Sequence, residues 1–234
     1  GQSMRYLSSF LGGAAIVVRG GSVPDDKIVI NYGDSRPLPS WDSRWFNPPG
    51  HIHRTSDKLE TFRWLLHSRV PHVDFTLNPE VVREWLCEGH KVYARLTAHG
   101  SQGQGIRILR SPTDTIPTAA FYSKDLRNED EYRIHVVRGH LVGRGLKFRT
   151  GVDANPDIRN IDNGWAFRLT HPPVAEVDQV GIAAVNALGM DFGAADIGYC
   201  RSTNKAYVFE VNSAPTMAEL TAKRYAEGFI AASE

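Results

Sequence analysis

From Lys91 to Arg149 five strand-like runs follow one another with no helical pattern between them: KVYARL, GIRILR, TAAFY, EYRIHVVRG and HLVGRGLKFR. Helical patterns lie in separate blocks on either side. SDKLETFRWLLHSRV carries Leu59, Phe62, Leu65 and Leu66 at helical spacing, with Ser56 as the expected N-cap and Glu60 in the first turn. A second helix is expected over PEVVREWLCEG. Further on, PVAEVDQVGIAAVNALGM (173–190) places Val174, Val177, Val180 and Ala184 on one stripe, and two strands and a terminal helix from Thr216 complete the chain. Strands and helices grouped in this way, rather than strictly alternating, favour an α+β fold with mainly antiparallel sheets. Before these blocks, DKIVINYG (26–33) reads as a short strand after a loosely patterned start. The segment from Asp34 to Gly50, with Pro37, Pro39, Pro48 and Pro49, reads as an irregular strap packed by Trp41, Trp45 and Phe46.

At 234 residues the chain can bury a sizeable core as one large domain or two small lobes. Its net charge of +1 gives no reason to expect a nucleic-acid surface, although a local basic patch would not show in that sum. No apolar run approaches the ~20 residues of a membrane helix. The N-terminus lacks the organisation of a signal peptide, and Met4 behind Gly1-Gln2-Ser3 reads as a natural start preceded by added residues. Cys87 and Cys200 have no redox or metal partner at useful spacing, so reduced, buried thiols in a cytoplasm are expected. His51 and His53 have no third ligand nearby and read as packed or exposed histidines.

The chemistry concentrates in four places. In the strand-like AYVFEV, Glu210 and Asn212 stand two apart and so project to one face. Asp196 lies in the preceding run FGAADIGYC, and RSTNK between the runs can turn the chain back as a hairpin. Three oxygen-bearing side chains then meet at one end of a β-pair, a donor set suited to magnesium, which binds through one or two carboxylates and keeps waters or phosphate oxygens. The same residues also fit the solvent face of an alternating strand. In YARLTAHGSQGQGIRIL a turn with Gly100, Gly103 and Gly105, separated by Ser101, Gln102 and Gln104, joins two strands. Its backbone N–H groups can close on phosphate. It is not a Walker loop, and a plain glycine-rich β-turn fits it equally. Arg95, entering the loop, and Lys58, in SDKL, can place positive charge beside a phosphate chain.

With these motifs in this order, the chain resembles the ATP-grasp superfamily, in particular carboxylate–amine ligases of the ribosomal-protein glutamate ligase type. The resemblance rests on residues 56–76, 93–109, 131–139 and 187–217. It implies two α+β lobes with antiparallel sheets around a nucleotide cleft, the first over about 51–122 and the second over 123–234, behind a short segment, 1–50. It implies ATP and magnesium as cofactors, with manganese as a substitute, and Asp196, Glu210 and Asn212 as metal ligands. Gly100, Ser101, Gln102, Gly103 and Gly105 would fold over the phosphates, with Lys58 and Arg95 beside them; the family usually has lysine at the position of Arg95. The adenine hinge would fall on Phe121-Tyr122-Ser123-Lys124, where the family commonly has a Gln-Glu pair; backbone groups there, those of Tyr122 included, could make the contacts, and Lys124 could meet the adenine edge. Glu131 would take the ribose hydroxyls, or else face solvent. Arg133, Lys147, Arg159, Asn160 and Asn163 would face the γ-phosphate and an acyl phosphate. For Arg133 and Lys147 a cross-strand surface pair with Glu131 or a neighbour stays open.

The implied reaction is ligation of a carboxylate to an amine through an acyl phosphate, which needs cations and positioned donors rather than a protein nucleophile. Two alternatives remain: a phosphotransferase using the same cleft, and a non-catalytic ATP-binding protein. EYRIHVV and IRNIDNGW also resemble phage-encoded ATP-grasp proteins, which would place the chain in a host cytoplasm. Only residues 1–57 precede Lys58, fewer than the family usually has. Either acceptor recognition is reduced, or a partner chain or a large acceptor, such as a peptide, a protein terminus or a modified nucleic acid, completes the acceptor site.

Overall fold

In the computed structural model, residues 1–12, 15–18, 28–36, 45–99, 104–169 and 172–233 are described. The alternation in EYRIHVV decides which way the largest sheet faces. In β8 (Asp130–Val137), Tyr132, Ile134 and Val136 are buried in the main core cluster, while Glu131, Arg133 and His135 point to the opposite face. This strand lies at the centre of a five-stranded antiparallel sheet. On one side it pairs with β9 (His140–Arg149), which pairs in turn with β10 (Trp165–Leu169). On the other it pairs with β11 (Phe192–Cys200), which pairs with β12 (Lys205–Asn212).

Helix α5 (Ala175–Ala187) covers the apolar face: Val177, Val180, Ala184 and Val185 share a cluster with Ile134, Val136, Ala195, Ile197, Val208 and Val211. Burying each valine or isoleucine side chain among them contributes roughly 1.5–3 kcal/mol. Helix and sheet are in close contact at Gly181, where an added Cβ would lie 2.6 Å from the Ile134 side chain.

Register along β12 changes once. From the hairpin end, Cys200 pairs with Lys205 and Ile197 with Val208; across a bulge between Asp196 and Ile197, Asp196 then pairs with Glu210 rather than Phe209. One extra residue therefore reverses the facing of everything after it. Val208 and Val211, three apart, both reach the core, and Glu210 stands opposite Asp196 on the polar face. Phe209 lies over Gly198, where an added Cβ would come 2.4 Å from the ring.

A four-stranded antiparallel sheet forms the second layer, in the order β4 (Phe75–Thr76), β7 (Phe121–Lys124), β5 (Val92–Arg95), β6 (Ile106–Leu109). One face packs on α4 (Pro79–Cys87), joining Val82 and Leu86 to Val92, Ala94, Leu109 and Tyr122. The other face meets α3 (Lys58–His67), whose Phe62 ring centre lies 5.3 Å from that of Phe75 and 5.7 Å from that of Phe121.

The rest departs from the sequence expectations in definite ways. The loosely patterned start is α1 (Gln2–Leu11), whose Leu7 and Leu11 pack with Tyr225 and Phe229 of α6 (Glu219–Ala231) and with Phe192. Beside them β1 (Ala15–Val18), β2 (Ile28–Asn31) and β3 (Trp45–Phe46) form a small parallel sheet, unlike the two larger ones. The proline strap gives way to α2 (Pro49–Ser56), with Pro49 in the first turn, where its missing N–H costs nothing; Trp41 lies outside the described residues. Asp57, not Ser56, caps α3, because its carboxylate reaches the N–H groups of Leu59 and Glu60. The segment after Arg159 returns as a strand, β10. Cys87 is exposed at the end of α4 and Cys200 is half-buried, so the expectation of buried thiols fails.

Gly181→Ala should lower stability although alanine is the better helix former. The gain in propensity is about 1 kcal/mol, and overpacking against Ile134 costs about 1–3 kcal/mol. Urea unfolding measures the balance, and a more stable variant would contradict this helix–sheet contact.

Candidate nucleotide and metal site

The polar face of the five-stranded sheet holds buried charges in matched pairs. On β8 and β11, Arg133 and Asp196 are directly opposed, and the guanidinium donates from Nε to Oδ1 at 2.7 Å and from Nη2 to Oδ2 at 2.8 Å. One strand further, Glu210 accepts from Lys58 Nζ at 2.5 Å. On the other side Lys147 of β9 donates to Glu131 and, at 2.8 Å, to the carbonyl of Arg159. Side-chain exposure is 17% for Arg133, 9% for Asp196, 8% for Lys147 and 9% for Glu131, so these pairs are desolvated and not surface contacts.

The electrostatics follow from that burial. Desolvation alone would raise the Asp196 carboxyl, but the charge and hydrogen bonds of Arg133 outweigh it and hold the group below its ordinary range. For Glu131 burial wins over Lys147, and its carboxyl is pushed up.

Lys58 is placed by the cap of α3: Asp57 fixes the first turn, and the Lys58 N–H donates to the Ala98 carbonyl at 3.0 Å, tying the helix to the strand that enters the glycine turn. From β5, Tyr93 and Arg95 point away from α4, and Arg95 feels the charge of Glu210 while burial lowers its own pKa. Among the described residues three buried side-chain polar atoms lack a protein partner. Two of them, Arg95 Nε and Asn212 Nδ2, belong to this site. A buried polar atom without a partner costs about 1–3 kcal/mol. Both are therefore open to a ligand that supplies the missing bond.

Other expected residues take different places. Tyr122 and Lys124 lie on the α4 face of their sheet, opposite to Arg95: the Tyr122 hydroxyl donates to the Pro117 carbonyl at 2.6 Å, and the Lys124 ammonium sits 3.5 Å from Glu88 and 5.5 Å over the Trp85 ring. Neither side chain reaches the surface that carries Arg95. Glu131 is engaged with Lys147 and does not face solvent. Gly105 has φ of +68° and its carbonyl accepts from Leu96 N at 2.8 Å. Gly100, Ser101, Gln102 and Gly103 lie outside the described residues.

In the loop between β9 and β10, Asn160 Oδ1 accepts from the backbone N of Asn163 at 2.9 Å and from its Nδ2 at 2.7 Å, so this pair shapes the loop. Arg159 stacks 5.1 Å over Trp165 and stands 3.9 Å from Glu131. Asp157, which belongs to no sequence motif, ties this loop to the four-stranded sheet by accepting from Lys91 at 2.7 Å and from Arg110. Behind the polar face, Tyr225 OH donates to the Gly193 carbonyl at 2.7 Å, so the His135 Nδ1–H donates to the hydroxyl oxygen at 3.1 Å.

Two carboxylates and an amide on adjoining strands fit a hard divalent cation that takes its other ligands from phosphate and water. Asp196 and Glu210 are each held by a protein cation, and Asn212, whose amide oxygen would be the ligand, has an unpaired Nδ2. No group of three or more His, Cys, Asp or Glu that could hold a metal occurs among the described residues, so any cation here depends on the Asn212 amide and on ligand oxygens. His51 bonds the Gly189 carbonyl at 2.5 Å.

The same architecture recurs in solved structures at low sequence identity. The ATP-grasp ligase PsnB, complexed with a phosphomimetic variant of minimal precursor, Mg and ADP, matches with a TM-score of 0.60 at 15% identity over 81% of this chain and 63% of that one. D-alanine–D-alanine ligase from Bacillus anthracis matches with a TM-score of 0.60 at 14% identity, over 81% of this chain and 71% of that one. A RimK domain ATP-grasp protein from Sphaerobacter thermophilus matches with a TM-score of 0.61 at 13% identity, over 97% and 94%. This chain thus spans less than two thirds of the length of PsnB. No protein-family model and no curated protein sequence matches it. The chain has the ATP-grasp fold.

Buried His135 has a pKa lowered from 6.5 to about 3, by burial first and by Arg133 second. The unfolded chain therefore binds a proton between these values that the folded chain refuses, and stability falls as pH drops from 6.5 toward 3. His135→Gln should flatten that limb in denaturant titrations run against pH. An unchanged slope would contradict a neutral, buried imidazole.

Proposed function

We propose that the chain is an ATP-dependent carboxylate–amine ligase, with the nucleotide between the two larger sheets and a magnesium ion at Asp196, Glu210 and Asn212. The observation that carries this reading is the paired face itself: anions Glu131, Asp196 and Glu210 alternate with cations Lys147, Arg133 and Lys58, beside two unpaired polar atoms. A structural ion pair is weak evidence of stabilisation when buried. An entire face of them, drawn from α3, β8, β9, β11 and β12, suits a highly charged ligand that exchanges partners with them.

Lys58 and Arg95 would put positive charge beside the phosphate chain, and release of Lys58 from Glu210 would free both a cation for phosphate and a carboxylate for metal. A bound magnesium ion would supply charge neutralisation at the phosphates. Arg133, Lys147 and Arg159 would hold the transferring phosphoryl group and the incoming carboxylate together. Attack of the carboxylate oxygen on the γ-phosphorus gives an acyl phosphate and ADP; attack of an amine nitrogen on the acyl carbon then expels phosphate, and the ammonium proton goes to solvent. No nucleophilic side chain is required, and positioning with electrostatic stabilisation provides the catalysis. The half-buried residues Arg159, Asn160 and Asn163, on a loop whose Ile161 and Asp162 are exposed, suit a peptide-sized acceptor, and the likeness to PsnB, whose complexes hold precursor peptide, supports that class. No helix among the described residues is long and apolar enough to cross a membrane.

A screen of ADP release over amino acids, peptides and nucleic acids, with hydroxylamine to trap an acyl phosphate, tests the reaction. Release that requires a carboxylate and an amine, with a hydroxamate product, is expected. Phosphorylation of an alcohol instead would favour a phosphotransferase. Glu210→Ala should lose turnover by about 10²-fold or more while keeping its unfolding transition; full activity would contradict the site.

A further inference from the structure

We propose that Phe167 is a positioning residue, whose ring is the common floor under Arg133 and Lys147, and that Gly145 is the bare position that lets the ring lie there. The inference rests on the polyphosphate reading of the cleft given above. Phe167 stands on β10 directly across from Lys147, and Gly145 of β9 stands directly across from Arg133 of β8. The ring leans from β10 over Gly145: its Cβ and Cδ1 lie 3.4 Å from where a Gly145 Cβ would be. Leaning in this way, it reaches both cations. The Arg133 guanidinium carbon is 4.4 Å and the Lys147 nitrogen 4.8 Å from the ring centre.

Two cations against one aromatic ring is an arrangement with a specific use. Each is also held by a carboxylate, Asp196 for Arg133 and Glu131 for Lys147. If Asp196 turns toward a metal, Arg133 loses its bidentate partner, and the ring is the contact that remains. An aromatic face attracts a cation without neutralising it, so the guanidinium keeps its charge for the ligand. A carboxylate in the same place would compete with phosphate. Leucine would fill similar space with no quadrupole, and a branched side chain at Gly145 would push the ring aside.

The test compares Phe167→Leu, Phe167→Tyr and Gly145→Val with the natural chain. Nitrogen relaxation of the Arg133 Nε–H and the Lys147 ammonium reads the ordering in the free protein. Calorimetric titration with Mg·ATP reads its consequence, and thermal melting reads packing alone. Phe167→Leu and Gly145→Val should loosen both side chains and weaken Mg·ATP about tenfold, whereas Phe167→Tyr should restore order and affinity. Natural mobility and affinity in Phe167→Leu would overturn the proposal. So would a Phe167→Tyr variant as impaired as the leucine variant, which would mark a packing role only. If the natural chain does not take Mg·ATP at all, the functional reading fails, and the relaxation comparison alone decides the positioning role.

Discussion

One extra residue in β12 sets the facing of the whole candidate site. Without the bulge at Asp196, strict alternation would bring Phe209 opposite Asp196 and turn Glu210 toward α5. With it, Val208 and Val211 both enter the core and Glu210 joins the polar face. The rest of the molecule accommodates this. Gly198 makes room for the displaced Phe209 ring, and α3 ends its cap where Lys58 can reach Glu210.

The face built in this way is electrostatically loaded but internally balanced. Asp196 stays ionised because Arg133 outweighs its desolvation, and Lys147 sits between the Glu131 carboxylate and the Arg159 carbonyl. Such pairs are costly to break one partner at a time, by about 3–5 kcal/mol. A ligand that brought both a divalent cation and phosphate anions would offer new partners to the carboxylates and to the cations together. The unpaired Arg95 Nε and Asn212 Nδ2 mark where the protein's own exchange is incomplete.

Much of this was legible in the sequence, for identifiable reasons. EYRIHVV alternates cleanly because one face meets α5 and the other carries the ion pairs of Glu131 and Arg133, and the two-residue spacing of Glu210 and Asn212 survives because both follow the bulge. The bulge itself is invisible to a count of period two, although the spacing of three between Val208 and Val211 signals it. The facing of Lys124 is hidden from composition because β7 is covered on both faces, so polarity says nothing about it; its register against Val92 puts it on the α4 side. The helix α2 hides behind Pro48-Pro49, which reads as a loop by composition although proline is at home in a first turn. Asp157 carries no motif, and only the fold brings it to Lys91 and Arg110. Phe167 reads as an ordinary strand residue until Gly145 shows why its ring can lean toward Arg133.

The central claim is that the polar face binds a divalent cation only together with nucleotide, since its carboxylates are otherwise held by Arg133 and Lys58. Titrating the isotope-labelled protein with a trace of Mn²⁺, with and without ATP, tests it most directly through paramagnetic broadening. The account predicts selective loss of signals around Asp196, Glu210 and Asn212 that requires ATP. Broadening centred elsewhere, or equal in the absence of nucleotide, would contradict it.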